Sequence, residues 1–263
     1  MNFIENHYTT NYDEQARFDH RYNLVEFLTT MHYIEKYLQP DAYVLEVGAG
    51  TGRYSRAIAD KGNPVEAIEL VPHNIEVFKQ QITPAQNITV TQGNALDLSR
   101  FADNTFDITL VLGPLYHLYT EADKKQCIGE ALRVTKPKGV IFTAYCISDI
   151  SIYDDAFRRN LMMISDYMEK GKIDPLTFAT TSTPEDVFEL VRKEDIDRLM
   201  GHFPHAQRLH YVATTLVARL IRDSLAEMDE ETFALYMRHH FAVCERADMV
   251  GMTSHAIDIF RKK

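Results

Sequence analysis

Val44-Leu45-Glu46-Val47-Gly48-Ala49-Gly50-Thr51-Gly52 is the stretch on which the fold of this chain turns. A short apolar strand, Tyr43 to Val47, breaks into three glycines at alternate positions, and Arg53 to Lys61 then reads as a helix ended by Gly62-Asn63. Upstream, the apolar residues between Leu24 and Leu38 fall at helical spacing, and Pro40-Asp41 stops that helix. Downstream the alternation continues. Val65 to Leu70 is a strand, Pro72 to Gln81 a helix with proline in its first turn, Ile88 to Thr91 a strand, and Phe106 to Leu112 a strand apolar enough to be buried on both faces. Thr120 to Val134 is a helix, and Pro137-Lys138-Gly139 turns the chain into a fifth strand, Val140 to Tyr145. Strands and helices in strict alternation predict an α/β fold, a parallel sheet covered on both faces.

The rhythm breaks after Cys146. Helices are expected over Tyr153 to Lys170, Lys193 to Met200, Thr214 to Met228 and Glu230 to Arg246, with short strands at Val187 to Val191 and Ala256 to Phe260. The tail is expected to pack on the sheet as a partly helical cap. The chain thus divides into a front helical segment (1–39), a core (40–146) and a lid region that completes the sheet (147–263).

Composition narrows the function classes. The 263 residues, with 45% hydrophobic and 25% charged, are those of an ordinary globular chain. A formal net charge of −10 argues against sequence-independent nucleic-acid binding, whose affinity comes from neutralising phosphates. Cys127, Cys146 and Cys244 are too scattered for a disulfide framework or a metal knuckle, so a reduced, cytoplasmic setting is expected. The first fifteen residues carry no basic-then-apolar leader pattern, and no apolar run reaches membrane-spanning length, so no membrane association is expected. Six of the eleven histidines follow position 200, but without metal-site spacing they read as coincidence or pocket lining, and no metal is expected.

The glycine turn carries the chemistry. Glycine lets a ligand approach the main chain, and the helix that follows offers unpaired N–H groups. Glu69, about twenty residues on at the end of the second strand, is placed to accept hydrogen bonds from a ribose diol. Both features suit either a nicotinamide dinucleotide or S-adenosylmethionine. The glycine spacing is GxGxG rather than GxGxxG, and Glu46 stands two residues before the first glycine. A carboxylate there would repel a pyrophosphate and favours a cationic sulfonium ligand.

These residues, with Glu69-Leu70, Gly93-Asn94-Ala95-Leu96, Phe106-Asp107, Leu112-Gly113-Pro114-Leu115-Tyr116-His117-Leu118 and Leu132 to Gly139, resemble the class I S-adenosylmethionine-dependent methyltransferases, in the family's order, over about residues 40–146. The resemblance implies a Rossmann-like, mostly parallel seven-stranded sheet with helices on both faces and a helical cap. It implies that Glu46, Gly48, Ala49, Gly50, Thr51 and Gly52 surround the methionine and ribose parts of S-adenosylmethionine, with Glu69 and Leu70 at the ribose. Asn94, Ala95 and Leu96 would flank the adenine; many relatives carry aspartate at position 94. Leu112 and Gly113 would face the methionine end. The front segment resembles the cap of bacterial small-molecule members, where Tyr8, Tyr12 and Arg17 are candidates to close over the cofactor, the arginine by pairing with its carboxylate.

Methyl transfer from a sulfonium needs proximity and alignment, and a base only if the acceptor must lose a proton. His117, just beyond the fourth strand, is the candidate base, and Tyr116 the candidate for orienting the acceptor. The loop Leu112 to Tyr116 lacks the Asp/Asn-Pro-Pro-Tyr/Phe pattern of base-modifying enzymes, which points away from nucleic acid and towards a small-molecule acceptor. The alternatives are a cofactor-binding scaffold or sensor, an RNA or protein methyltransferase, and an NAD(P)-dependent oxidoreductase.

Overall fold

The computed structural model describes residues 3–11 and 20–263. A short helix α1 (Phe3–Asn6) and a π-helical turn (His7–Asn11) precede α2 (Arg21–Tyr37). The alternating core follows: β1 (Val44–Val47), α3 (Arg53–Ala59), β2 (Val65–Glu69), α4 (Pro72–Gln81), β3 (Ile88–Gln92), β4 (Phe106–Val111), α5 (Glu121–Val134) and β5 (Thr135–Ile147). The tail adds α6 (Ser148–Ile152), α7 (Ile164–Glu169), β6 (Leu190–Val191), α8 (Lys193–Met200), β7 (Ala206–Ala213), α9 (Arg222–Glu227), α10 (Glu230–Val243) and β8 (His255–Lys262).

The strands form one sheet in the order β3-β2-β1-β4-β5-β8-β7, with β6 paired to the end of β5. Strands β1 to β5 are parallel, whereas β8 runs antiparallel to β5 and β7 antiparallel to β8. The expected α/β fold with helices on a mostly parallel sheet is what the chain adopts, the two-residue β6 being an eighth strand. Because β1 has β2 on one side and β4 on the other, the connections leave β1 and β4 in opposite directions. A crevice opens there, at the carboxyl ends of the strands, where open α/β sheets hold ligands.

Local chemistry explains the element boundaries. All four residues of β1 are buried, as a strand covered on both faces requires. Pro72 opens α4, where its missing N–H has no partner to lose. The Thr120 hydroxyl accepts the Asp123 N–H at the start of α5, and Glu121 and Asp123 face the positive end of that helix.

The tail departs from expectation in three places. The single helix expected over Tyr153 to Lys170 is a π-helical turn (Tyr153–Arg158), a break at Asn160 with φ +53°, and α7. Fully buried Asp154 draws Arg158, Arg219 and Arg222 around it, and those ion pairs select the widened turn. The helix expected over Thr214 to Met228 starts later, because Thr214 and Thr215 bond across to Thr253, Ser254 and His255 instead of continuing a helix. Just before them lies β7, an edge strand whose polar residues (Gln207, Arg208, His210) hid it. Val187 takes φ +64°, which confines the strand expected from Val187 to Leu190 and Val191. The turn at Pro137 to Gly139 survives as a bulge within β5, opposite a register shift at Phe106/Ile108.

Candidate functional site

The backbone after β1 sets the site. Gly48 and Gly50 take φ of +73° and +55°, left-handed values that side chains rarely adopt. The Gly48 and Ala49 N–H groups both donate to the Ile68 carbonyl, which folds the loop against β2. A Cβ on Gly48 would stand 2.7 Å from Pro114 Cδ, so the loops after β1 and β4 touch at the switch point. Gly52, at +81°, serves a different end: it precedes α3, and a Cβ there would lie 2.0 Å from the Phe78 ring.

Two carboxylates hold this loop. Glu69 is buried; its Oε2 accepts the Gly50 N–H at 2.8 Å, and its Oε1 accepts the Val71 N–H at 2.9 Å and the Asn74 amide at 3.3 Å. Burial pushes the Glu69 carboxyl above the usual carboxylate range, and these donors pull it part of the way back. Glu46, equally buried, accepts the Ser55 N–H at 2.9 Å and the Ser55 hydroxyl in the first turn of α3.

Around this loop lies a cavity of about 290 Å³. Of the residues expected at the site, Glu46, Gly48, Ala49, Gly50, Thr51, Glu69, Leu70, Asn94, Ala95, Leu96, Leu112, Gly113, Tyr116 and His117 all line it, as does Tyr8 from the front segment. Gly52 does not; its role is packing on Phe78. Tyr12 and Arg17 lie outside the described residues. The Asn94 Oδ1 accepts the Leu96 N–H at 3.0 Å, which shapes the turn under that end of the cavity.

The opposite wall is aromatic and basic. The Tyr116 hydroxyl donates to the Leu112 carbonyl at 3.0 Å. The His117 Nδ1 faces the Val187 carbonyl at 2.7 Å, so Nδ1 carries the hydrogen. Burial holds the imidazole down at about 4, the Val187 bond acting in the opposite sense, so His117 is neutral at pH 7. Its Nε2 lone pair therefore accepts the Tyr8 hydroxyl, 3.1 Å away. The Val187 carbonyl also accepts the Tyr119 hydroxyl at 2.6 Å, and the Glu189 N–H donates to the Tyr116 carbonyl at 2.7 Å. The segment before β6 is thereby tied to the loop after β4.

Several lining residues escaped the sequence reading. Glu26 and Thr30 come from α2, Arg53 and Tyr54 from α3, Asn74 from α4, and His255 from the start of β8. Glu26 and His255 are buried and form an ion-pair contact, Oε1 to Nδ1, at 3.6 Å. Asn74, five residues beyond Glu69, had a readable signal in its spacing; Glu26 and His255 had none, because only the β5–β8 pairing brings the last strand to the site. Among the other late histidines, His202 pairs with Glu121 and His210 with Glu245, while His240 is buried and held down at about 4. Among the described residues, no group of three or more histidine, cysteine, aspartate or glutamate side chains is placed to hold a metal ion, and no helix is long and apolar enough to cross a membrane.

Residues 45–143 match the family model described as a methyltransferase domain. A demethylmenaquinone methyltransferase of Renibacterium salmoninarum is 37% identical over 40% of this chain and 41% of its own length. Nodulation protein S of Rhizobium tropici is 26% identical over 38% of this chain and 41% of its own. The matched region thus spans less than half the length of these curated relatives. Among solved structures, an S-adenosylmethionine-dependent methyltransferase of Methanosarcina mazei superposes with a TM-score of 0.57 at 17% identity, covering 88% of this chain and 96% of that one; this likeness is one of fold. The family model's span holds most of β1, the glycine loop, Glu69, the loop after β4 and most of β5, whereas Tyr8, Glu26, Thr30 and His255 line the cavity from outside it. Residues 45–143 are therefore similar to a methyltransferase domain, and the sheet that carries them has the fold of a methyltransferase of known structure.

Proposed function

We propose that the cavity binds S-adenosylmethionine and that the protein transfers its methyl group to a small organic acceptor. One observation carries this reading. A left-handed glycine loop and a buried carboxylate bonded to it share one cavity, at the switch point of the sheet, with an aromatic and histidine-lined wall. Glu69 has the chemistry to accept from ribose hydroxyls, and the backbone of Gly48 to Thr51 can meet the ligand without side chains intervening. Leu70 and Asn94 to Leu96 suit the nucleoside end, and Leu112 and Gly113 the methionine end. Tyr12 and Arg17 belong to this proposal as closing residues of the front segment. When bound, S-adenosylmethionine supplies an electrophilic methyl group on a positively charged sulfur.

The chain's own residues supply alignment and dryness. Leu118, Ile4 and Ile257 add apolar surface to the wall built by Tyr8, Tyr54 and Tyr116, which suits a flat, partly apolar acceptor better than a polymer. His117, neutral and bonded at both ring nitrogens, orients Tyr8 over the cavity in this reading, and Tyr116 positions the acceptor. Incubating the protein with methyl-labelled S-adenosylmethionine and a metabolite extract, read by mass spectrometry, is expected to yield a labelled small molecule. Binding of S-adenosylhomocysteine with no label transferred to any extract would favour a scaffold or sensor instead.

Glu69 also gives the binding a pH signature. The ionised carboxylate accepts from ribose hydroxyls more strongly than the protonated acid does, and burial moves its carboxyl above the usual carboxylate range. S-adenosylhomocysteine affinity is therefore expected to be full above the raised value and to fall as the pH drops through it. Glu69→Gln is expected to weaken binding at neutral pH and to flatten that dependence, as calorimetric titration at stepped pH would show.

A further inference from the structure

We infer that Val187 is a positioning residue for methyl transfer: its strained backbone aims one carbonyl at His117 and so sets the acceptor wall of the cavity from behind. This rests on the methyltransferase reading above and deepens it by assigning what shapes the acceptor end. Val187 itself stands outside the cavity lining. Its φ is +64° and its ψ −44°, and the Phe188 N–H donates to the Asp186 carbonyl at 2.8 Å. Such angles, closed by a bond between residues two apart, make a γ-turn of the rare and strained kind. Valine suits it poorly, because a branched Cβ crowds the backbone at positive φ. Strain of this sort persists only where the surroundings over-determine it, and it gathers at ligand clamps.

The turn is fixed on both sides. Before it, Asp186 Oδ2 accepts the Thr183 N–H at 2.8 Å and the Thr183 hydroxyl at 3.0 Å, while Asp186 Oδ1 pairs with Lys172. After it, the Glu189 N–H donates to the Tyr116 carbonyl at 2.7 Å, and the Glu189 carboxylate forms a largely buried pair with Lys124 at 2.6 Å. Between these anchors the Val187 carbonyl accepts from two side chains that follow β4, the His117 Nδ1–H at 2.7 Å and the Tyr119 hydroxyl at 2.6 Å. The Phe188 ring lies 5.2 Å from His117, 5.8 Å from Tyr116 and 5.4 Å from His7, centroid to centroid.

The Val187 carbonyl sets the chemistry of the wall. A carbonyl only accepts, so it holds the hydrogen of neutral His117 on Nδ1 and leaves Nε2 to accept the Tyr8 hydroxyl. The relay therefore runs one way, from Tyr8 through His117 to Val187. It joins the front segment, the turn after β4 and the segment before β6 at the cavity end lined by Tyr8, Tyr116 and His117. With Val187 at an ordinary negative φ that carbonyl swings away, and either ring nitrogen of His117 is free to carry the hydrogen. Water then reaches the ring, and the burial that holds its titration down at about 4 is relieved. The titratable groups around His117 are His7 and Tyr8 from the front segment, Tyr116 beside it and Tyr119 on the shared carbonyl, with Asp186 and Glu189 flanking the turn.

The test uses the full chain labelled with 15N-histidine. Long-range 1H–15N spectra are recorded against pH for wild type, Val187→Gly and Val187→Pro, with His117→Gln identifying the resonance. Glycine takes a positive φ freely, whereas proline is locked near about −65° and also loses the N–H bond from position 187 to the Pro184 carbonyl. The expected result is the Nδ1–H tautomer with a midpoint of about 4 in wild type and Val187→Gly. In Val187→Pro, mixed tautomers and a midpoint higher by about one pH unit or more are expected. At saturating methyl-labelled S-adenosylmethionine, Val187→Pro is expected to label the metabolite extract about tenfold more slowly or worse. Should Val187→Pro fail to fold, the melting temperature of Val187→Gly decides. Relief of strain keeps it at or above wild type, whereas valine lost from an unstrained position lowers it. The Nε2–H tautomer in wild type, a Val187→Gly variant that melts well below wild type or matches the Val187→Pro spectrum, or a folded Val187→Pro with the wild-type spectrum or labelling rate would overturn the assignment and leave the methyltransferase reading intact. Absence of S-adenosylhomocysteine binding, or of any label transfer, by the wild-type protein would overturn that reading and this role with it.

Discussion

Gly50→Val is expected to weaken S-adenosylhomocysteine binding by about 100-fold or more while the protein remains folded. The residue sits at φ +55°, so any L side chain there costs about 1–2 kcal/mol of strain before a ligand is considered. Gly50 also lines the cavity, where the backbone itself is expected to meet the ligand. Its N–H, moreover, is the donor to Glu69 Oε2, so a loop that shifts to relieve strain unseats that carboxylate from one of its three partners. Calorimetric titration and a thermal melt separate the two effects: affinity should collapse and the melting temperature fall by only a few degrees. Unchanged affinity would show that the loop is not the site.

Gly52→Ala is expected to do the opposite, striking the fold first. An alanine Cβ would lie 2.0 to 2.2 Å from three atoms of the Phe78 ring, which is fully buried between α4 and the sheet. The ring has no room to retreat, so the overpacking adds about 1–3 kcal/mol to the strain of a left-handed backbone at φ +81°. Together that is a loss of about 2–5 kcal/mol, a large part of a typical total stability of about 5–15 kcal/mol. Gly62→Ala is the control: it shares a positive φ, +93°, but has nothing within 4 Å of the added carbon. Chemical denaturation of both variants should show a small loss for Gly62→Ala and a much larger one for Gly52→Ala.

That contrast also shows what the sequence could convey. Three glycines at alternate positions announce a turn that needs unusual backbone angles, and all three have them. Which ones meet a ligand and which one meets Phe78 depends on α4 folding back over the loop, and no local pattern encodes that. The core was legible because its signals are local: a proline at the first position fixes where α4 starts, and the uninterrupted apolar run of β4 marks a strand covered on both sides. The tail was less so. β7 carries polar residues because it is an edge strand, and Asp154 bends its helix through arginines more than sixty residues away. The site divided in the same way. The loop residues and Glu69 came from motifs, whereas Glu26 and His255, from opposite ends of the chain, meet only because β8 enters the sheet beside β5.

In the proposed function, the crevice between the β1 and β4 loops holds a nucleoside bearing a thioether or sulfonium arm. Isothermal titration of the full chain with S-adenosylhomocysteine tests it most directly. The expected result is saturable binding at one site, lost in Gly50→Val and absent when NAD is titrated instead. No heat with S-adenosylhomocysteine at sub-millimolar concentration, or saturable binding of NAD in its place, would contradict it.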